Sequence, residues 1–283
     1  MIRSTTAQPF PAAPPALGIH LLRALRAVVG RELHKFVRQP ARLASALVRP
    51  LLWFVVFAAG FHNVFGVAII PPYETYIEYS VYMVPGLLGM IALFNGMQSS
   101  LSLVYDREMG IMRLLLTAPL ARGWLLGFKL LAGTSLSVLQ MLVFLFIAWL
   151  FGVSFEWMHL LAALPVMVLA AVLLASLGLV LSVYVRQLEN FAGTMNFVIF
   201  PMFFISPALY PLWKLEEAGA HWLHVLASYN PFTHAVEAMR FALYGQWNLV
   251  GLAVLVVGSL VFFFVALRGY DPQRGWIKAR GAP

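Results

Sequence analysis

About six long apolar stretches run through this chain without a single Asp, Glu, Lys or Arg, and the basic residues gather on alternate sides of them. The stretches lie near residues 50–66, 81–104, 130–151, 160–185, 191–209 and 249–267. Each is roughly the 17–25 residues that a helix needs to cross hydrocarbon. Of 19 Lys and Arg, only Lys214 and Arg240 fall in the loops after the first, third and fifth stretches. Those loops carry Glu74, Glu78, Glu156, Glu216, Glu217 and Glu237 instead. Arg3, Arg23, Arg26, Arg31, Lys35, Arg38, Arg42 and Arg49 precede the first stretch, and Arg107, Arg113, Arg122 and Lys129 follow the second. Arg186 follows the fourth, and Arg268, Arg274, Lys278 and Arg280 follow the sixth. Positive charge is retained on the cytoplasmic side, so both termini are expected there, and an even span count agrees.

Composition sets the same class. The chain is 61% hydrophobic and 11% charged over 283 residues. A soluble domain of that size has too little polar surface to cover such a core. The net charge of +8 therefore points to anionic headgroups at the membrane edge and to no nucleic acid. With no cysteine, disulfides, thiolate metal sites and a cysteine nucleophile are excluded. Residues 1–16 carry four prolines and no apolar run and read as a disordered tail.

Residues 17–46 read as an amphipathic connecting helix. Leu21, Leu25, Val28, Val29, Leu33 and Phe36 share one side at helical spacing, and Arg23, Arg31, His34, Lys35 and Arg38 take the other. Such a helix lies in the headgroup layer, and Gln39-Pro40 ends or kinks it. A six-helix transmembrane domain over 47–270 and a cytoplasmic tail over 271–283 complete the organisation. Trp149, Trp157, Trp213, Trp222 and Trp247 fall near the expected outer ends, and Trp53 and Trp124 are expected to mark the inner side.

Two connections are richer than plain loops. The inner one, 105–129, opens with Asp106, Arg107, Glu108 and Gly110, continues through Arg113 and Leu115, and is stopped by Pro119. It reads as a short helix exposed to the cytoplasm. The outer one, 206–248, is broken at Pro207 and Pro211 and is too apolar to stay in water. Short re-entrant helices in the outer leaflet would satisfy its backbone. Asn230 can cap a helix starting at Pro231 and running to about Tyr244. Glu237 and Arg240 would pair on it; an exposed pair at that spacing contributes only about 0.2–0.5 kcal/mol.

The chemistry is sparse. Ion-coupled carriers hold ionisable residues inside the bilayer, and these stretches have none. Their strongest polar groups are Asn95, Gln98, Gln140 and Asn196; such amides join helices more often than they bind substrate. Asn95, Gln98, Asn196 and Phe200 are the candidate pathway residues. No G-x-x-x-x-G-K-[ST] string occurs, so any ATP motor is a separate chain. Glu217, His221 and His224 would share a helix face and could hold zinc; with no fourth ligand apparent, they read as an outward polar stripe, and no metal is assigned.

These residues resemble a family. The segment RQPARLASALVRPLLW, the inner Glu108, Gly110 and Leu114–Pro119 followed by Gly127 and Lys129, the string FFISPALYP, and Asn230-Pro231-Phe232-Thr233 with Glu237 and Arg240 are similar to motifs of the membrane subunit of type-2 ATP-binding-cassette (ABC) exporters. Ile111 and Pro207 depart from the usual Thr and Gly. The resemblance implies an all-α half-transporter: two permease copies paired across the first and fifth spans, with two ATPase subunits docked below. The coupling residues would be Asp106, Arg107, Glu108, Gly110, Arg113 and Leu115. ATP and Mg would sit on the ATPase, with no cofactor in this chain, and the site would be a bacterial inner membrane. The expected function is export of an amphipathic or lipid-linked substrate. A non-transporting scaffold subunit or an ion-coupled carrier are the alternatives.

Overall fold

The computed structural model describes residues 23, 25–27, 29, 30, 34, 40–61, 66–67, 71–73, 76–110, 122–185 and 187–270. The expected tails and most of the connecting helix lie outside these residues. The described ones form helices α1 (Pro40–Phe61), α2 (Tyr79–Glu108), α3 (Arg122–Leu150), α4 (Trp157–Tyr184), α5 (Leu188–Phe204), α6 (Trp213–Glu217), α7 (His221–Tyr229), α8 (Pro231–Leu243) and α9 (Leu249–Gly269). A two-residue antiparallel pair, β1 (Gly66–Val67) and β2 (Ile77–Glu78), sits between α1 and α2.

The chain is an all-α membrane protein in architecture. Four helices among the described residues, α2, α3, α4 and α9, are long and apolar enough to cross a membrane. The other two expected spans are shorter. The apolar part of α1 is only Leu47–Phe57, because Arg42 and Arg49 lie in its first half. α5 has 17 residues and stops before Pro207. Two expected limits also move. Pro50 sits inside α1, which begins at Pro40 where proline suits a first turn. The second span continues beyond 104 to Glu108. Trp53 is therefore 13 residues into α1, about 20 Å along it. Its ring stacks on Phe57 at 5.0 Å and meets Phe203 and Phe204 edge-on at 5.8 and 5.9 Å. It thus lies past the middle of α1, against the last turn of α5, and not at the end where it was expected.

α2 is the central helix. Every residue from Tyr82 to Leu93 is buried, as expected of a helix covered on all sides. It packs most extensively on α4, and also on α1, α3, α5 and α8. Lipid offers no hydrophobic gain for helix pairing, so close van der Waals contact must supply it. The α2–α4 crossing shows how. A Cβ on Gly96 would lie 2.8 Å from the Ala175 backbone, and one on Gly178 would lie 2.6 Å from Ser100 Oγ and 2.8 Å from the Gly96 carbonyl. Of the small residues of α4, Ala175 and Gly178 are thus where it meets α2 most closely. Outward-facing Phe146, Leu161, Val257, Val261 and Phe264 are exposed, which costs nothing against acyl chains. Ser100, Ser137, Ser176, Ser182 and Ser259 are buried and bond to carbonyls three or four residues back, which satisfies these hydroxyls within their own helices.

Two polar pairs lock α2 against α3 in one antiparallel register. Asn95 Nδ2 donates to Gln140 Oε1 at 2.6 Å. Eleven residues on along each helix, Lys129 pairs with Asp106.

Candidate functional site

Among the described residues, buried polar groups gather where α5 breaks. Pro201 sits inside α5, and Pro207 and Pro211 follow its last residue, Phe204. Proline supplies no N–H, so the carbonyls there need partners from elsewhere. Side chains provide them. Asn230 Nδ2 donates to the Met202 and Ile205 carbonyls, both at 2.7 Å. Ser206 Oγ donates to Phe203 O at 2.6 Å, and the Tyr210 hydroxyl donates to Phe204 O. Pro207 O accepts from Arg240 Nη2 at 2.6 Å and from the Tyr82 hydroxyl at 3.1 Å. Leu209 O accepts from the Tyr79 hydroxyl at 2.7 Å. Six carbonyls of residues 202–209 are satisfied in one place by six side chains. A Cβ on Gly86 would collide with the Ala208 backbone, so that glycine is what lets the break press onto α2.

Asn230 does a second job. Its Oδ1 accepts from Phe232 N at 3.0 Å and so caps α8, with Pro231 in the first turn. One side chain thereby closes the N-terminus of α8 and the broken end of α5. Phe232 is buried and its ring meets Phe203 edge-on at 6.0 Å. Thr233 is buried too.

Arg240 departs most from expectation. The pair with Glu237 forms, but it is not an exposed surface pair. Arg240 is 3% exposed. Its guanidinium lies 4.1 Å from the centre of the Tyr82 ring, and Tyr73 and Tyr244, in edge-on contact at 4.8 Å, complete the wall. Burial opposes the charge on Arg240, but Glu237 together with the Tyr82 and Tyr73 phenol oxygens outweighs it, so the guanidinium stays protonated. Burial pushes the phenols of Tyr73 and Tyr244 up, and the nearby Arg240 only partly counters this. They remain neutral. Pairing, a backbone bond and a ring face together make a buried cation tolerable. Local spacing gives the i,i+3 pair but not its burial, because Tyr82 and Pro207 come from distant sequence. Tyr79 and Tyr82 were not singled out from sequence. Their signal was two phenols one turn apart opening an apolar span.

At the other end of the bundle, Asp106, Arg107 and Glu108 form the last turn of α2 and no separate helix. Asp106 pairs with Lys129 of α3, Arg107 Nη2 donates to Ser182 O of α4 at 3.1 Å, and Glu108 Oε1 accepts from Leu188 N of α5 at 2.8 Å. Three consecutive charges thus tie one helix to three others. Gly110 follows with φ +71, a left-handed turn that suits glycine. Arg113 and Leu115 lie outside the described residues.

The pathway candidates divide. Asn95 is held by Gln140 as a helix joiner. Gln98, Asn196 and Phe200 are exposed on the outside of the chain. Glu217 does not join His221 and His224. Glu216 does, with His224 Nδ1 3.3 Å from its Oε1.

Comparison with known proteins decides the family. Residues 23–244 match the model of the "ABC-2 type transporter" family. The chain belongs to that family. It is 27% identical over 261 residues to ycf38 of Pyropia yezoensis, covering 87% of this chain and 85% of that one. It is 24% identical over 253 residues to the daunorubicin resistance ABC transporter permease protein DrrB1 of Streptomyces coeruleorubidus, covering 88% and 82%. The inner membrane transport permease YadH of Escherichia coli K12 is 25% identical over 244 residues, covering 86% and 91%. As an ABC-2 permease the chain is a multi-pass membrane protein and the transport component of an ABC system. ATP hydrolysis belongs to partner ABC ATPase subunits.

Proposed function

We propose that this ABC-2 permease exports an amphipathic or lipid-linked substrate across a bacterial inner membrane. Two copies face each other, two ATPase subunits dock at the Asp106–Lys129 end, and ATP and Mg sit in those subunits. Asp106, Arg107, Glu108, Gly110, Arg113 and Leu115 carry the coupling. The capped break at Asn230–Arg240 closes the outer end of the pathway.

The exposure of Gln98 and Asn196 carries this reading. The Glu108–Leu188 contact joins the ends of α2 and α5. From that junction Gln98 and Asn196 lie ten and eight residues in, at similar depths of about 15 and 12 Å. An amide facing hydrocarbon loses its hydrogen bonds at a cost of several kcal/mol. Two such amides on the outside of one chain therefore favour water, substrate or a second subunit as neighbour. Phe200 lies one turn from Asn196, and Phe197 beside it is 79% exposed. A mostly apolar wall with a few amides suits an amphipathic molecule. Six spans follow if α1 and α5 also cross, at about 33 and 26 Å long.

Two measurements test this. In proteoliposomes with the partner ATPase, Gln98→Leu combined with Asn196→Leu should lower transport of a fluorescent amphiphile severalfold while assembly persists. Unchanged transport contradicts the pathway, and a wild-type complex that moves nothing favours the scaffold reading. Single cysteines are informative in this cysteine-free chain. An impermeant thiol reagent added outside cells should label Glu156→Cys and Glu217→Cys. Labelling of Ala121→Cys instead would overturn the cytoplasmic placement of the termini.

A further inference from the structure

The chain between α6 and α7 brings three metal-ligating side chains together. α6 ends at Glu217, and the turn runs through Gly219 at φ +73, where a side chain would be strained. Ala220 N closes it by donating to Leu215 O at 2.8 Å. The reversal folds Glu216 back over the first turn of α7, where His221 and His224 stand three residues apart on one face. Their rings are stacked with centroids 6.4 Å apart. One ligand atom from each of Glu216, His221 and His224 lies within 4.8 Å of the other two.

We infer that Glu216, His221 and His224 form a site for a divalent transition ion, zinc being the fitting case. Two imidazoles and one carboxylate are the donor set that Zn accepts in tetrahedral sites with one open position. Ligand bonds of about 2.0–2.1 Å place tetrahedral donors about 3.4 Å apart. The Glu216–His224 separation of 3.3 Å already meets that spacing, and His221 holds its ligand atom within 4.8 Å of both. The half-exposed rim leaves the fourth position to water. Soft thiolate selection is absent, so the order of affinity follows imidazole preference, with copper and nickel as competitors and magnesium and calcium excluded. A bound ion would cross-link α6 to α7 and stiffen the segment that leads into Asn230.

The test uses the full-length protein in detergent, purified through a tag without histidine. Zinc titration by calorimetry should give one site whose occupation raises the thermal midpoint. His221→Ala with His224→Ala should weaken it at least about tenfold and abolish the zinc-dependent shift, while the metal-free midpoint stays as in wild type. Glu216→Gln should weaken it, and Glu217→Gln should not. Cobalt should give the visible absorption of a tetrahedral site in wild type and not in the double histidine variant. Wild-type binding no tighter than that of the double variant overturns the site, as does an equal loss from Glu217→Gln.

Discussion

Arg240→Met should destabilise the protein by about 3 kcal/mol, at the lower end for breaking a buried ion pair. The change leaves Glu237 without its partner and the Pro207 carbonyl with the Tyr82 hydroxyl as its remaining donor. The lower end applies because Glu237 keeps 23% exposure and can be partly rehydrated. For a chain of this size the thermal midpoint should fall by roughly 6–12 °C. Arg240→Lys should be intermediate: a point charge can pair with Glu237, but it cannot also reach Pro207 and lie flat on Tyr82. Arg240→Met with Glu237→Met should recover part of the loss, since an apolar pair of similar volume leaves no orphan charge. Thermal unfolding followed by tryptophan fluorescence in detergent reads all three. An unchanged midpoint for Arg240→Met would mean that the buried cation holds nothing.

Asn230→Ala should cost about 2–4 kcal/mol. It removes the α8 cap, worth about 1 kcal/mol, and strips the Met202 and Ile205 carbonyls of an amide donor, at about 1–3 kcal/mol for each group left buried and unpaired. The total falls below the simple sum because the site is only partly buried. Asn230→Asp separates the two roles. It keeps the cap acceptor but places carboxylate oxygens against two carbonyls, so it should be at least as damaging as alanine. Amide exchange should quicken across 203–209 in both variants, and at the start of α8 in Asn230→Ala alone. A benign Asn230→Asp would show that the two amide bonds are unimportant and that only the cap matters.

The break itself was readable because its causes are local. Pro207, Pro211 and the Asn230-Pro231 pair speak through backbone chemistry that acts over a few residues. What lies around the break was not readable. Tyr82 and Arg240 are far apart in sequence, and neither one's periodicity indicates the other. The same limit hid the Asn95–Gln140 and Asp106–Lys129 register, since long loops carry no signal about which residues of two apolar helices meet. The histidine cluster failed for a different reason. Continuous helical spacing selects Glu217 with His221 and His224, but Gly219 ends α6 and reverses the chain, so Glu216 takes the place. A glycine between two alanines was the available sign. Trp53 was misplaced because α1 was expected to start at Pro50, and a proline in a first turn looks the same at residue 40 as at residue 50.

The chain is the permease of an ABC system whose ATPase subunits are separate, and outward transport is what we propose for it. The direct measurement is ATP hydrolysis and vectorial amphiphile transport in proteoliposomes, with the chain alone and with the ATPase that co-purifies with it. The chain alone should hydrolyse no ATP above background, and the complex should couple hydrolysis to outward movement. Robust hydrolysis by the isolated chain, or ATP-independent transport by it, would contradict the account.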